Sequence, residues 1–315
     1  MNKILVTGCA GFIGSHLTDR LLKEGSDVVG IDNFNDYYNQ KVKEQNLQEA
    51  KKNKLFKLYR KDILDFASLE EIFKKEIPDK VVHLAARAGV RPSINNPLLY
   101  AKINVLGTVN LLKLSVDFEI KQFIFGSSSS VYGNSKKLPF TEDNPCDKII
   151  SPYGASKRSA EFWVETFHRT FGLKSVILRL FTVYGPRGRP DMAPALFTKA
   201  ILEGKTITQF GDGTSNRDYT YIDDIVDGVI KALGVNLDSE IINVGNNHPV
   251  TLSDFIKTIE AITDKKARIK HLPNQQGDVE KTWADVKKAK KVLSWKPKNS
   301  IEGGLSRYIQ WLKNS

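Results

Sequence analysis

A chain of 315 residues, 41% of them hydrophobic, is long enough for one large domain, or for a large domain with a smaller appendage, and its composition excludes disorder. Forty-seven Lys and Arg against thirty-six Asp and Glu give a formal charge of +11, but the basic runs "EAKKNK" and "VKKAKK" sit in helix-like, Glu-flanked contexts without interleaved aromatics. They read as solvated surface, not as a nucleic-acid track.

No apolar run approaches the ~20 residues of a membrane span, and the N-terminus lacks a signal-peptide layout. The two cysteines, Cys9 and Cys146, are too far apart for a metal motif or a disulfide framework. A cytoplasmic protein is expected, with no metal, no membrane and no nucleic-acid partner.

The chain opens on a strand, "KILVTG", and continues into "CAGFIGSHL", which places Gly8, Gly11 and Gly14 at three-residue spacing before a helix near residues 12 to 24. Glycines there let the backbone turn tightly and approach a pyrophosphate, while the helix N-terminus offers free N–H groups and a positive dipole end. Phe12 and Ile13 belong to the same approach. The second strand, "DVVGID", ends on Asp32, with Asn33 next. A carboxylate at that place can accept hydrogen bonds from ribose hydroxyls and repel a 2′-phosphate, which points to NAD over NADP.

Further strands follow in "LFKLYR", "KVVHLA", "KQFIFGS" and "SVILRLF", alternating with helices near residues 41 to 51, 66 to 76, 97 to 116 and 151 to 171. This alternation predicts an α/β fold, a Rossmann-type doubly wound parallel sheet over residues 1–182. Asp62 and Ile63 end the third strand where adenine would lie. Leu84, Ala85 and Ala86 after the fourth would pass beside the cofactor, or else form ordinary strand-end loops.

The helix near 151 begins "SPYGASKR": Ser151 suits an N-cap and Pro152 the first helical position. Tyr153 and Lys157 then stand one turn apart on one face, where a positive charge makes a phenol easier to deprotonate. Ala160, Val164, Phe167 and Phe171 fall on roughly the same face, which should look inward onto the sheet. After residue 182 the alternation loosens into Gly-, Pro- and Asp-rich loops. A smaller C-terminal substrate-binding part is expected over 183–315, built on helices near 193 to 203, 222 to 234, 251 to 263 and 300 to 313, with segments interleaving with the first domain.

The glycines, Asp32, the serine cluster "GSSSSVYG" and "YGASK", in this order, resemble the extended short-chain dehydrogenase/reductases over nearly the whole chain. "GIDNFNDYYN", "HLAARAGVRPSI", "FTVYGPRGRPDMAPALF" and "FGDGTSNRDYTYIDDIVDG" resemble the UDP-glucuronate 4-epimerase group among them. The resemblance implies a retained NAD, a UDP-hexuronate substrate, and a homodimer made by the helices near 97 to 116 and 151 to 171.

It also implies Tyr153 as catalytic base, Lys157 as the residue that bonds the nicotinamide ribose and lowers the tyrosine pKa, and Ser128 as the hydroxyl on the sugar 4-oxygen. Ser127, Ser129 and Ser130 leave that register open by a residue. Asn104 matches a position near the cofactor, or is a buried structural residue.

For the substrate, Arg189 is expected to grip the sugar carboxylate through two parallel hydrogen bonds. Arg187 and Arg91 are alternatives, and a loop ion pair of Arg189 with Asp191 is the ordinary reading. Arg217, Tyr219 and Asp278 match diphosphate and ribose contacts; Arg217 otherwise pairs with Asp218 or Asp223. Thr182 and Gln275 stand where galactose-type epimerases carry asparagine and arginine, which argues against UDP-galactose.

Related dehydratases and decarboxylases place an acid inside the serine motif, and this chain has none there. Those chemistries, a neutral-sugar epimerase and a non-catalytic NAD-binding regulator are the rival readings. The implied reaction oxidises C4 of the sugar to a transient ketone and reduces it again from the other face, with no net redox change.

Overall fold

The computed structural model describes residues 2–37, 39–273 and 279–314. Its strands are β1 (Lys3–Thr7), β2 (Asp27–Ile31), β3 (Phe56–Tyr59), β4 (Lys80–His83), β5 (Gln122–Ser128), β6 (Ser175–Leu180), β7 (Thr182–Tyr184), β8 (Thr206–Phe210), β9 (Asn216–Tyr221), β10 (Ser239–Val244), β11 (Pro249–Thr251) and β12 (Arg268–Leu272). The helices are α1 (Phe12–Lys23), α2 (Gln40–Asn46), α3 (Phe66–Glu76), α4 (Val90–Asn95), α5 (Pro97–Ala101), α6 (Gly107–Asp117), α7 (Pro152–Phe171), α8 (Ala193–Leu202), α9 (Ile222–Gly234), α10 (Leu252–Thr263), α11 (Lys287–Leu293) and α12 (Ile301–Lys313).

Seven parallel strands form the main sheet in the order β10-β6-β5-β4-β1-β2-β3. The order reverses between β1 and β4, and such a switch point opens a crevice beyond the carboxyl ends of the strands. Because successive side chains of a strand face opposite sides, Ile4 and Val6 pack with Leu17, Ile225 and Trp295 on one face, while Leu5 packs with Leu69, Leu111 and Val164 on the other. Both faces are thus covered by helices, as a parallel sheet requires.

Two smaller sheets, β11-β9-β7 and β12-β8, form at the carboxyl-end side of the chain's second half. Strand β10 runs from that half back into the main sheet beside β6. Among the described residues no helix is long and apolar enough to cross a membrane.

Two expected helices differ in detail. The segment 41 to 51 splits into α2 and a 3-10 turn at Ala50–Lys52. The segment 97 to 116 starts at the Asn96 cap and runs through a π-helical turn, Lys102–Leu106, between α5 and α6. In α7, Ala160, Val164 and Phe167 are buried as expected, but Phe171 is 56% exposed. It is the last residue of the helix, directly before the left-handed Gly172, where the helix has run past the cover of the sheet.

Candidate active site

A cleft of about 780 Å³ lies along the carboxyl ends of the central strands. At one end is the glycine turn. Gly8 has φ +71°, and a Cβ there would stand 2.8 Å from the Ala85 nitrogen; a Cβ on Gly14 would stand 2.1 Å from the Gly8 oxygen. Gly11 caps α1 without any side-chain hydrogen bond, so the first-turn N–H groups, which have no intrahelical acceptor, are left to the cleft that Gly11, Phe12, Ile13 and Gly14 line.

Asp32, 6% exposed at the end of β2, accepts the N–H groups of Phe34 at 2.8 Å and Ala10 at 3.2 Å. It also pairs with the Lys43 ammonium at 3.1 Å. That buried pair makes the repulsion of a 2′-phosphate weaker than a lone carboxylate would exert. The Asn33 amide donates to Asp62 at 2.8 Å, and Ile63, Leu84, Ala85 and Ala86 line the adjoining wall. Backbone pressed too close for a Cβ, open helix N–H groups and a carboxylate at the end of β2 together fit a dinucleotide.

Asn104 takes the second of its two readings, that of a buried structural residue. It does not line the cleft; 1% exposed in the π-turn, it grips the Arg87 backbone through both N–H (2.7 Å) and C=O (2.9 Å), and donates to Ser156 at 2.9 Å. The π-turn rotates this amide inward, where it braces the loop after β4 against α7.

At the middle of the cleft, the Ser151 hydroxyl caps α7 by accepting from the Gly154 N–H at 3.1 Å, and Ser93 accepts from the Tyr153 N–H at 3.0 Å. Tyr153 and Lys157 both line the cleft. Lys157 is 3% exposed with its ammonium 4.4 Å from the centre of the Phe125 ring. Burial lowers its pKa to about 7, against the pull of Glu161 one turn on.

Tyr153 is not lowered, as its neighbour was expected to make it. Burial pushes the phenol above its ordinary value, and the groups that oppose this are the nearby Ser128 hydroxyl and the Arg189 charge.

The four serines differ in their partners. Ser127 lines the cleft and donates to Glu161 at 2.6 Å, whereas Ser128, beside the Tyr153 phenol, accepts from the Ser130 N–H at 3.2 Å. Ser129 and Ser130 also line the cleft.

At the far end, Arg189 makes the ion pair of its ordinary reading. It lines the cleft with its side chain 15% exposed, and it pairs with Asp191 through Nε at 3.1 Å and through Nη2, which also donates to the Tyr37 hydroxyl at 2.8 Å. Arg187 points elsewhere, to Asp19 at 2.7 Å. Arg91 lines the cleft, stacked 4.7 Å over the Phe210 ring.

Arg217 and Thr182 line it too, as does Tyr219, which stacks on Phe255. Arg217 donates to the carbonyls of Asn216 and Glu280, while Asp218 is occupied by the N–H groups of Asn246, Asn247 and Ala284. Asp278 and Gln275 lie outside the described residues.

Sequence reasoning missed Tyr37, Lys43 and Arg87, all on the cleft wall. Arg87 and Arg189 stack on Tyr37 at 4.6 and 5.0 Å, and Lys43 reaches Asp32 from α2. The aromatic pair in "NDYY", directly after the acidic strand end, was the available signal. Among the described residues no cluster of three or more His, Cys, Asp or Glu is placed to hold a metal ion.

Residues 5–308 match the family described as GDP-mannose 4,6 dehydratase, and the chain belongs to that family of extended short-chain dehydrogenase/reductases. It is 47% identical over 316 residues to the UDP-glucuronate 4-epimerase of Thermodesulfobacterium geofontis, covering 100% of this chain and 97% of that one. The structure of UDP-glucuronic acid 4-epimerase from Bacillus cereus, in complex with UDP-glucuronic acid and NAD, is 40% identical, covers 99% of both chains and superposes with a TM-score of 0.94. The UDP-glucose 4-epimerase of Thermotoga maritima with UDP-glucose is 37% identical over 99% of both chains, with a TM-score of 0.92.

Proposed function

We propose that this member of the extended short-chain dehydrogenase/reductases is an NAD-dependent isomerase, a 4-epimerase that interconverts UDP-glucuronate and UDP-galacturonate. One observation carries the reading: Tyr153, Ser128 and the Arg189 guanidinium line the same cleft as the glycine turn. A base, a donor for a developing ketone oxygen and a carboxylate ligand thereby face one space.

NAD, when bound, accepts a hydride from the sugar and returns it. Gly8, Gly11, Gly14 and the first turn of α1 would hold its pyrophosphate, Asp32 its adenosine ribose, and Asn33, Asp62, Ile63 and Leu84 its adenine end. Tyr153 takes the proton of the 4-hydroxyl and later gives it back. Ser128 donates to the 4-oxygen as it becomes a ketone. Lys157 would meet the nicotinamide ribose.

Arg189 holds the carboxylate, with Ser129, Ser130 and Thr182 beside it, so that its bond does not align with the ketone π system and carbon dioxide is not lost. Arg217, Tyr219 and Arg91 face the UDP portion, with Asp278 as a further ribose ligand. Residues 1–182 form the NAD-binding part and 183–315 mainly the substrate-binding part, with β10 crossing between them.

The deciding experiment incubates purified protein, without added cofactor, with UDP-glucuronate and follows the sugar by NMR. The galacturonate isomer is expected; carbon dioxide release in its place removes the epimerase reading, and a preference for UDP-glucose removes the uronate reading. Tyr153→Phe should lose at least ~100-fold in rate. Arg189→Ala should raise the decarboxylated fraction.

Leu98, Leu106 and Phe162, at 81%, 48% and 53% exposed, lie on the packed helices α5 to α7, which supports a homodimer through that face. Sedimentation should report two chains per particle, and Leu106→Glu with Phe162→Glu a single chain; a wild-type monomer would refute the dimer.

A further inference from the structure

We infer that Asp191 is a built-in competitor for the sugar carboxylate, holding Arg189 by donors that a uronate would use and releasing it when the uronate enters. The inference rests on the UDP-uronate reading above. A guanidinium binds a carboxylate bidentately along either of two edges, Nε with one Nη or the two Nη together. Asp191 occupies the first edge through Nε and Nη2, and the remaining Nη2 donor goes to the Tyr37 hydroxyl, so no complete edge is open to a uronate while Asp191 stays.

The arginine itself is anchored. Its Nη2 donates to the Tyr37 hydroxyl at 2.8 Å, and that hydroxyl donates to the Ala88 carbonyl at 2.6 Å, while the Tyr37 ring lies 5.0 Å below the guanidinium. The Arg189 side chain is 15% exposed against 46% for Asp191, so the aspartate is the partner with room to leave.

Charge decides which arrangement persists. A uronate arriving beside an intact pair would put two carboxylates on one cation in a poorly solvated cleft, and like charges so close disfavour each other. Exchanging one carboxylate for the other avoids this at small net cost, because the lost ion pair is replaced by an equivalent one and Asp191 returns to water. A neutral hexose offers no such exchange and leaves the pair shut. Asp191 therefore reduces uronate affinity selectively and has no effect on the nucleotide portion.

The test is calorimetric titration of the holoenzyme with UDP-glucuronate, UDP-glucose and UDP. Asp191→Asn keeps the shape and removes the charge. It should tighten UDP-glucuronate binding about tenfold, the scale of one charge-assisted pair, and leave UDP-glucose and UDP unchanged.

Asp191→Ala should move in the same direction, and in an Arg189→Ala background the gain should vanish. Unchanged or weaker uronate binding in Asp191→Asn, with wild type binding normally, overturns the exchange and makes Asp191 a brace for Arg189. Failure of wild-type holoenzyme to bind either UDP-sugar removes the parent reading and this inference together.

Discussion

Lys157 is a cation placed where a cation is costly. Its ammonium sits against the Phe125 ring, 3% exposed, with Glu161 as the counter-charge that acts on it. In the unfolded chain it titrates at its ordinary 10.5, and in the fold at about 7. Between those values the unfolded state binds the extra proton, so this residue's contribution to stability rises with pH across that window and is flat below about 7. The melting temperature of the cofactor-free protein relative to Lys157→Met should therefore climb from about pH 7 to about pH 9. A constant difference would mean that the lysine keeps its full charge in the fold.

At the scale of elements, legibility followed the range of the interaction. The start of α7 was readable because Ser151, Pro152 and the Tyr153–Lys157 spacing are local, and each does there what its chemistry favours within one turn. The glycine turn was readable because backbone crowding admits no other residue. The π-turn was not, since Asn104 sits there to satisfy the Arg87 backbone seventeen positions away. Nor were Lys43 on Asp32 and Tyr37 on Arg189, contacts that only the folded chain creates. Within the turn, Gly14→Ala sets the sharpest test. Its Cβ would fall 2.1 Å from the Gly8 oxygen, so α1 must shift away from the turn at a cost of about 1–3 kcal/mol. The variant should melt lower and carry much less NAD after purification than the wild type, as read by absorbance after denaturation. Full retention would mean that the turn relaxes without disturbing the site.

For the whole molecule, the returning strand β10 matters most, and "SEIINV" was absent from the expected strands because its place beside β6 depends on a partner more than sixty residues earlier. A buried polar network joins it to the catalytic elements. Glu161 on α7 accepts from Arg179 on β6 at 2.9 and 2.8 Å, from Ser127 on β5 at 2.6 Å and from Arg158 at 2.8 Å. Arg179 also donates to the Tyr132 hydroxyl at 3.0 Å, which donates to Asn243 on β10 at 2.7 Å. With Arg179 1% and Glu161 0% exposed, removing Arg179 alone leaves a carboxylate that water cannot reach, whereas removing both leaves Arg158, 14% exposed and 3.8 Å from Glu165, as the remaining charge. Arg179→Met should thus cost about 3–5 kcal/mol in urea unfolding, and Glu161→Leu added to it should recover a large part of that loss. If the double variant is no more stable than the single, the network stabilises the fold through packing around Tyr132 and Phe140, whose rings stack at 4.5 Å, and not through the paired charges.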